Sequence, residues 1–184
     1  MKNKFSIVDL KTTGSNREGQ KIIEIAIINY DERKKCVEET FSTLINPEKC
    51  INHQITLLTG ITNLKAMEAP YFYKVAKKIV EMTNGRTIVA HNAVFDYRFL
   101  QREFMDLGYN YEREIFCIYK TAKDLFPNLP SYSLEDLCNY FKIKQKRAHR
   151  ALSDTENCLE LLKIISAKKM EVISLNKRDR VHPF

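Results

Sequence analysis

The sequence predicts an α/β domain in which a mixed sheet has helices on both faces. Two observations predict this class: three strand-like segments follow one another at the start of the chain, and later segments alternate between helices and short apolar strands. The chain has 184 residues, a length that one domain can fill. We therefore predict one folded domain over residues 1–168 and a basic C-terminal tail over residues 169–184.

The first predicted strand lies within residues 6–14, which read SIVDLKTTG. Alternation along a strand places its side chains on two faces, Ile7, Asp9 and Lys11 on one and Val8 and Leu10 on the other. Asp9 therefore stands among apolar residues, and a buried carboxylate without a partner is costly. A metal ion, the Lys11 ammonium or the backbone amides of residues 12–14 could each be that partner.

Two further strands complete a predicted antiparallel meander. Residues 21–31, KIIEIAIINYD, follow a polar turn, and residues 40–46, TFSTLIN, follow a charged turn and end before Pro47. Short turns between successive strands favour antiparallel pairing. The second strand is expected to divide its side chains between two faces, Ile23, Ile25 and Ile27 on one and Ile22, Glu24, Ala26 and Ile28 on the other.

The rest of the chain is predicted to be mostly helical. Periodicity and end signals place helices at residues 51–58, 71–82, 91–108, 133–141 and 149–169, a short apolar strand at 86–90, and a strand followed by a helix within 115–125. Pro70 precedes the second of these helices, and Ser133 with Asp136 forms a capping box at the fourth. The tail from residue 170 is expected to be basic and irregular.

The composition is that of a globular protein with an excess of positive charge. Hydrophobic residues make up 44% and charged residues 29%, and no apolar run is long enough to cross a membrane. The first residues lack the apolar core of a signal peptide, so we expect a cytoplasmic protein without membrane contact. The net charge of +7 and the pI near 9.1 favour a polyanionic partner, although a solvated basic surface gives the same values.

The cysteine content excludes two kinds of site. The five cysteines are odd in number, widely spaced and free of any CxxC pair: Cys36, Cys50, Cys117, Cys138 and Cys158. This pattern argues against a disulfide framework and against a zinc site. We expect buried or partly buried thiols.

Three aspartates and one histidine lie at positions in the predicted strands and helices that suggest a catalytic or metal-binding role. Asp9 lies at a strand end, and Asp96 lies in the first turn of a helix after an apolar strand. Asp154 lies near the start of the last long helix, five residues after His149. Each has an ordinary alternative, because carboxylates in first turns interact well with the helix dipole and an isolated histidine usually faces solvent.

The order of three motifs carries a resemblance to a known family. Residues 9–14 read DLKTTG where that family has D-x-E-T-T-G, residues 90–100 read AHNAVFDYRFL and include Asp96, and residues 149–154 read HRALSD. The motifs resemble those of the DnaQ-like DEDD exonucleases, in the histidine-bearing DEDDh branch with its ribonuclease H-like fold. The runs KIIEIAII, LTGIT and SYSLEDL add to the similarity, which spans residues 5–165.

The resemblance implies a metal-dependent 3′→5′ exonuclease that acts on single-stranded or frayed 3′ ends. It implies two divalent cations, Mg²⁺ or Mn²⁺, with Asp9 bridging both, Asp154 holding the first and Asp96 helping to hold the second. Carboxylate oxygens suit these ions, and two ions stabilise both the attacking and the leaving oxygen in phosphodiester hydrolysis. His149 would be the base that accepts a proton from the attacking water.

The resemblance also implies substrate contacts and partners. Thr12, Ile61 and Asn92 match family positions near the 3′-terminal nucleotide. The implied partner is the 3′ end of DNA or RNA, and a polymerase or another nucleic-acid-processing protein is a further candidate. The residues do not separate DNA from RNA, a stand-alone enzyme from a proofreading or accessory subunit, or one oligomeric state from another.

One departure from the family pattern changes the predicted metal site. Lys11 occupies the position of the motif glutamate, on the same strand face as Asp9. A ligand is lost and an ammonium that repels cations is gained. Glu18 and Glu24 could provide a replacement carboxylate, make structural hydrogen bonds or face solvent.

Three interpretations of Lys11 follow. The protein is a slow nuclease with one metal and Lys11 as a charge surrogate, or a catalytically impaired nucleic-acid-binding module that binds a partner, or a chain in which this residue was altered. A structural subunit without nucleic-acid function is a further alternative, but it leaves the three motifs unexplained.

Overall fold

The computed structural model describes residues 3–15, 19–145 and 149–178. Within these ranges the chain forms a five-stranded sheet with the order β3-β2-β1-β4-β5. The strands are β1 (Lys4–Thr12), β2 (Ile22–Asp31), β3 (Cys36–Leu44), β4 (Thr87–Ala90) and β5 (Ile115–Cys117). The first three pair antiparallel in succession, whereas β4 runs parallel to β1 and β5 runs parallel to β4. The predicted meander and the mixed sheet are confirmed.

Helices cover both faces of this sheet, as predicted. They are α1 (His53–Thr59), α2 (Asn63–Met67), α3 (Phe72–Thr83), α4 (Ala93–Asp106), α5 (Ile118–Leu125), α6 (Leu134–Tyr140) and α7 (Ala151–Arg178). Helices α3 and α4 pack on one face, where Phe72 and Phe104 join the apolar cluster. Helices α5, α6 and α7 pack on the other face through Ile118, Leu137 and Leu161.

Local end signals explain where several helices begin and end. Helix α1 stops at Gly60, which has a φ of 70° and donates its amide to the Thr56 carbonyl oxygen. The Ser133 hydroxyl accepts the Asp136 amide at 3.1 Å, which confirms Ser133 as the N-cap, but the Ser133 amide donates to Ser131 Oγ rather than to Asp136, so the capping box is only half formed. Helix α2 is missing from the sequence prediction because five residues are too few to show a helical period. None of the described helices combines the length and the hydropathy needed to cross a membrane.

The alternation predicted for β1 is confirmed. Val8 and Leu10 join the cluster against α3 and α4. Ile7 joins the cluster against α5, α6 and α7. The side chains of β1 that share a face with Ile7 are therefore directed towards α7.

The face assignment at the start of β2 is wrong for two residues. The pairing of β1 with β2 shifts between Lys11 and Thr12, and Thr12 pairs with Ile22. Such an irregularity reverses the faces of the residues beyond it. Ile22 therefore packs in the same cluster as Ile25, whereas Ile23 packs in a smaller cluster against α1 and α2.

Two predicted boundaries are also wrong. Strand β3 begins at Cys36 rather than at residue 40, and its first five residues are exposed, so they show no apolar alternation. Helix α7 continues to Arg178, so the tail is helical where an irregular chain is predicted. Residues 179–184 lie outside the described part of the chain. The division into a domain of residues 1–168 and a tail stays a prediction.

The prediction that the cysteine thiols are buried or partly buried is confirmed for three of the five. Cys138 and Cys158 are buried and Cys117 is partly buried, but Cys36 and Cys50 are exposed. Cys36 is exposed because it begins the solvent-facing edge strand β3. All five are free thiols, as the sequence indicates.

Candidate active site

The candidate active site lies at the C-terminal ends of β1 and β4, where these parallel strands separate. Strand β4 pairs with residues 5–7 of β1, and the chain then turns from Ala90 towards α4. Beyond residue 7, β1 stays paired with β2 as far as Thr12, and in the described part of the chain no strand covers its other edge. Crevices at the carboxyl ends of strands are the usual ligand sites of open α/β sheets.

Asp96 lies against this open edge of β1. It belongs to the first turn of α4, and its Oδ1 accepts the backbone amide of Leu10 at 3.2 Å. The bond satisfies an amide that the sheet leaves free and fixes the carboxylate against the strand that carries Asp9. The structure therefore brings two of the predicted aspartates to one crevice, and Asp96 is only 6% exposed there.

Lys11 bridges two of the predicted metal ligands. Its Nζ donates to Asp9 Oδ2 at 2.7 Å and to Asp154 Oδ2, on α7, at 2.6 Å. The side chains of Lys11, Asp9 and Asp154 are 14%, 15% and 10% exposed. Of the three partners that the sequence leaves open for Asp9, the structure thus shows the ammonium, whereas the Thr13 amide donates to the Lys21 carbonyl oxygen.

Burial and charge shift the ionisation of this cluster. Burial raises the pKa of Asp9 to about 7, with Lys11 acting in the opposite direction and Asp154 adding to the rise. Burial also raises the pKa of Asp96 well above its ordinary value, and the charge of Asp9 adds to that effect. Burial alone would lower the pKa of Lys11, but the two carboxylates outweigh it and raise that pKa. The lysine is therefore held in its charged form.

The carboxylates of the crevice are suitable ligands for a divalent cation, but Lys11 already contacts two of them. Carboxylates are the hard ligands that Mg²⁺ and Mn²⁺ prefer, and Asp9 and Asp96 are near enough to interact electrostatically. Between Asp9 and Asp154, however, the Lys11 ammonium is within hydrogen-bonding distance of both carboxylates. Among the residues that the structure describes, no three His, Cys, Asp or Glu side chains meet as a ready metal site. The Lys11 ammonium thus holds the oxygens of Asp9 and Asp154 to which a cation between these two carboxylates would bind.

Glu24 anchors the start of α7 and does not replace the missing ligand. Its Oε1 accepts Arg150 Nη2 at 2.6 Å, and its Oε2 accepts the Ala151 amide at 2.9 Å. A carboxylate at a helix N-terminus also interacts favourably with the helix dipole. The structure therefore supports the hydrogen-bonding alternative for Glu24. Glu18, the other candidate, lies outside the described residues.

We predict that Glu24→Gln lowers the free energy of unfolding by about 2 kcal/mol, because a buried acceptor of charged hydrogen bonds loses its charge. Urea denaturation measures the change. Glu160→Gln is the matched control, since Glu160 pairs with Lys163 on the exposed side of α7 and should change stability little. Equal losses in the two variants would contradict an anchoring role for Glu24.

The other predicted site residues lie in different environments. His149 is exposed, has a φ of 60° and stands two residues before α7. Asn92 is exposed directly before α4, and the Thr12 hydroxyl donates to the Gly14 carbonyl oxygen at 2.7 Å. Ile61 is 1% exposed and packs in the small apolar cluster beside α1 and α2. Its side chain is thus a core residue here, and the catalytic role of His149 and the nucleotide contacts of the other three stay predictions.

His91 has no role in the sequence prediction, although it stands in the same motif as Asp96. It follows β4 directly, and its Nε2 donates to the Tyr132 carbonyl oxygen at 2.8 Å. Burial lowers the pKa of His91, against the opposing influence of that carbonyl and of the Asp154 charge. The imidazole thus lies at the C-terminal end of β4, the strand end that borders the crevice, and its position within AHNAVFD is the signal that could have identified it.

Comparison with known proteins gives matches along most of the chain. The family model described as an exonuclease, RNase_T, matches residues 6–162. DNA polymerase III PolC-type of Caldanaerobacter subterraneus subsp. tengcongensis is 31% identical over 94% of this chain, and the 3′-5′ exonuclease DinG of Bacillus subtilis is 32% identical over 84%. This chain spans only 12% and 17% of those two proteins. The DNA polymerase III subunit epsilon of Treponema pallidum is 32% identical over 85% of this chain and 74% of the subunit.

Two solved structures show the same architecture. Exonuclease X, in complex with 5′ overhanging duplex DNA, superposes with a TM-score of 0.72 at 26% identity, over 88% of this chain and 90% of that one. The nuclease domain of 3′hExo, a DEDDh family member bound to rAMP, superposes with a TM-score of 0.75 at 19% identity. That match covers 91% of each chain.

Proposed function

This chain belongs to the exonuclease family, in its DnaQ-like DEDDh branch, and on that basis we propose that it removes nucleotides from the 3′ ends of single-stranded or frayed nucleic acid. The observation that carries the proposal is the meeting of acidic side chains from β1, α4 and α7 at the crevice between β1 and β4. These elements are remote in sequence, and their carboxylates lie where α/β sheets usually bind ligands.

We propose that Asp9 and Asp96 hold one divalent cation, Mg²⁺ or Mn²⁺. When bound, such a cation stabilises the charge that develops on the phosphate during hydrolysis. Lys11 keeps a second positive charge between Asp9 and Asp154, where the family resemblance implies the other ion. His149 is the proposed base that takes a proton from the attacking water, supplied from the start of α7.

A catalytically impaired binding module is the second candidate. The observation that favours it is the pair of ion contacts made by Lys11, because they offset part of the negative charge of two carboxylates and place an ammonium beside any cation at Asp9. Such a module would still bind nucleic acid through its excess of positive charge. Because two of the relatives carry polymerase III names, we propose a DNA polymerase as the candidate protein partner in either case. The cytoplasmic location stays a prediction.

The proposed activity predicts a ladder of products from a 5′-labelled single-stranded oligonucleotide in the presence of Mg²⁺ or Mn²⁺. Denaturing electrophoresis measures the shortening, and a circular single strand is the matched control because it has no 3′ end. The circle should stay intact, and EDTA should stop the reaction. A protein that retards the strand in a native gel but forms no ladder with either ion is a binding module, and the proposed activity is then wrong.

A further inference from the structure

A cluster of three rings and one lysine lies beside the crevice, and we refer to His91, Tyr119, Tyr132 and Lys123 as the aromatic platform. The ring centroids of His91 and Tyr119 are 5.9 Å apart, and those of Tyr119 and Tyr132 are 6.2 Å apart. Lys123 Nζ lies 5.4 Å from the Tyr119 centroid and 5.7 Å from the Tyr132 centroid. The residues come from the turn after β4, from α5 and from the loop before α6.

Hydrogen bonds hold two rings of the platform and the backbone of the third. The Tyr132 hydroxyl donates to the Phe126 carbonyl oxygen at 2.8 Å and accepts the Leu129 amide at 3.3 Å. The Tyr119 amide donates to the His91 carbonyl oxygen at 2.9 Å, and His91 Nε2 donates to the Tyr132 carbonyl oxygen at 2.8 Å. The His91 and Tyr132 rings are therefore fixed by their side chains, whereas the hydrogen bond of the Tyr119 amide fixes its backbone.

The platform is continuous with the candidate active site. His91 directly precedes Asn92 and α4, the helix that carries Asp96. His91 directly follows β4, and Tyr119 lies in the first turn of α5, which directly follows β5, so both rings lie at the C-terminal edge of the parallel strands, where the carboxylate cluster also lies. Tyr119 is 40% exposed and Lys123 is exposed, so both remain available to a ligand that occupies the crevice.

The rings of His91 and Tyr132 each meet the Tyr119 ring nearly edge-on, at interplanar angles of 82° and 77°. We propose that Tyr119 in the aromatic platform stacks an unpaired base of the strand on the 5′ side of the scissile linkage, while Lys123 interacts with a neighbouring phosphate. Aromatic rings bind bases of any sequence because every base has a π-face. Tyr119 is exposed, and the Lys123 ammonium beside its ring supplies the positive charge that a polyanion requires. Bases inside a duplex are stacked on their neighbours on both faces, so the ring is suited to the unpaired bases of a single strand.

This inference deepens the proposed function, because it concerns how the same crevice binds its substrate. The test measures binding and hydrolysis separately. Binding is measured in EDTA through the fluorescence anisotropy of a 5′-labelled single strand. This measurement does not depend on hydrolysis. Removing one base at a time from the last few nucleotides should reveal one position upstream of the 3′ end where an abasic site weakens binding about tenfold.

Tyr119→Ala should weaken binding of the intact strand by a similar factor of about ten, and it should remove the effect of the abasic position. Tyr119→Phe should retain the affinity of the unaltered protein, since the ring is kept. Lys123→Ala should reduce the slope of log affinity against log salt by about 0.7, the value for one phosphate contact on a single strand.

Matched controls are Tyr140→Ala, which removes an exposed tyrosine of α6, and Lys163→Ala, which removes a lysine held over the ring of Tyr30. Neither should change affinity or the abasic pattern. If every abasic strand binds as tightly as the intact strand, or if Tyr119→Ala binds as tightly as the unaltered protein, the platform does not stack a base.

Hydrolysis of the p-nitrophenyl ester of thymidine 5′-phosphate by the unaltered protein tests the proposed activity independently. If the ester is not hydrolysed but the abasic and Tyr119→Ala effects on binding are observed, the proposed exonuclease activity is wrong and the proposed base stacking is supported.

Discussion

Asp96→Asn is expected to lower the rate of 3′-end hydrolysis by about a thousandfold, equivalent to about 4 kcal/mol of barrier. Asparagine keeps the shape of the side chain and an oxygen that can accept the Leu10 amide, so the contact between α4 and β1 is retained. It removes the negative charge that the proposed cation site needs at the open edge of β1. The fold should therefore persist while the rate falls.

The measurement is single-turnover cleavage of a 5′-labelled strand with Mn²⁺, with thermal unfolding of each protein in parallel. Asp106→Asn is the matched control because Asp106 ends the same helix, α4, and pairs with Lys21 outside the crevice. It should retain the rate of the unaltered protein. A rate for Asp96→Asn within about threefold of that of the unaltered protein would show that Asp96 takes no part in the reaction.

The order of strands and helices could be predicted because its signals are local. The period of apolar residues identifies β1, β2, α3, α4 and α7, and end signals such as Pro70, Gly60 and Ser133 bound several helices. The ribonuclease H-like α/β class was likewise predictable, and the exonuclease family model and the solved structures confirm it.

The errors arise where structure depends on distant residues or where the local signal is weak. The exchange of faces between Ile22 and Ile23 follows from a register shift opposite Thr12, which exists only once β1 and β2 have paired. The start of β3 is charged and exposed, so it resembles the turn that precedes it. Beyond Lys168, lysines and polar residues interrupt the apolar period of α7, and the helix continues without that signal.

The site was predictable as a set of residues but not as an arrangement. The motifs identify Asp9, Asp96 and Asp154, and strand alternation places Lys11 on the face of Asp9. That the ammonium also reaches Asp154 depends on how α7 packs against β1, which no local pattern reports. The aromatic platform was missed for a similar reason, because its residues come from three separate segments of the chain.

Lys11→Glu is expected to raise the rate of 3′-end hydrolysis by at least about tenfold, equivalent to about 1.4 kcal/mol of barrier. The ammonium that bridges Asp9 and Asp154 disappears, and a carboxylate takes its position on the same face of β1. Both changes favour a divalent cation, since repulsion is removed and a hard ligand is gained. Asp96→Asn in the Lys11→Glu background should again remove the activity.

Two companion variants separate the loss of the ammonium from the gain of a ligand. Lys11→Met removes the charge without adding an oxygen ligand, so its rate and its Mn²⁺ affinity should lie between those of the unaltered protein and Lys11→Glu. Lys163→Glu makes the same change of charge on α7, beside Tyr30 at the far end of β2, and should leave both quantities unchanged. An increase in Lys163→Glu as large as that in Lys11→Glu would attribute the effect to overall charge.

Mn²⁺ titration by calorimetry and thermal unfolding complete the test of Lys11. Without metal, the Lys11→Glu variant lacks both ion pairs and has a third carboxylate beside Asp9 and Asp154, which these two repel. Its melting temperature should therefore fall below that of the unaltered protein. Saturating Mn²⁺ should recover more of the melting temperature in this variant than it adds to the unaltered protein, because a ligand that binds only the folded state stabilises it in proportion to its affinity. If the metal isotherm, the melting temperature and the rate are all unchanged, Lys11 does not control the cation site, and the exonuclease-like chemistry of this crevice must depend on other residues.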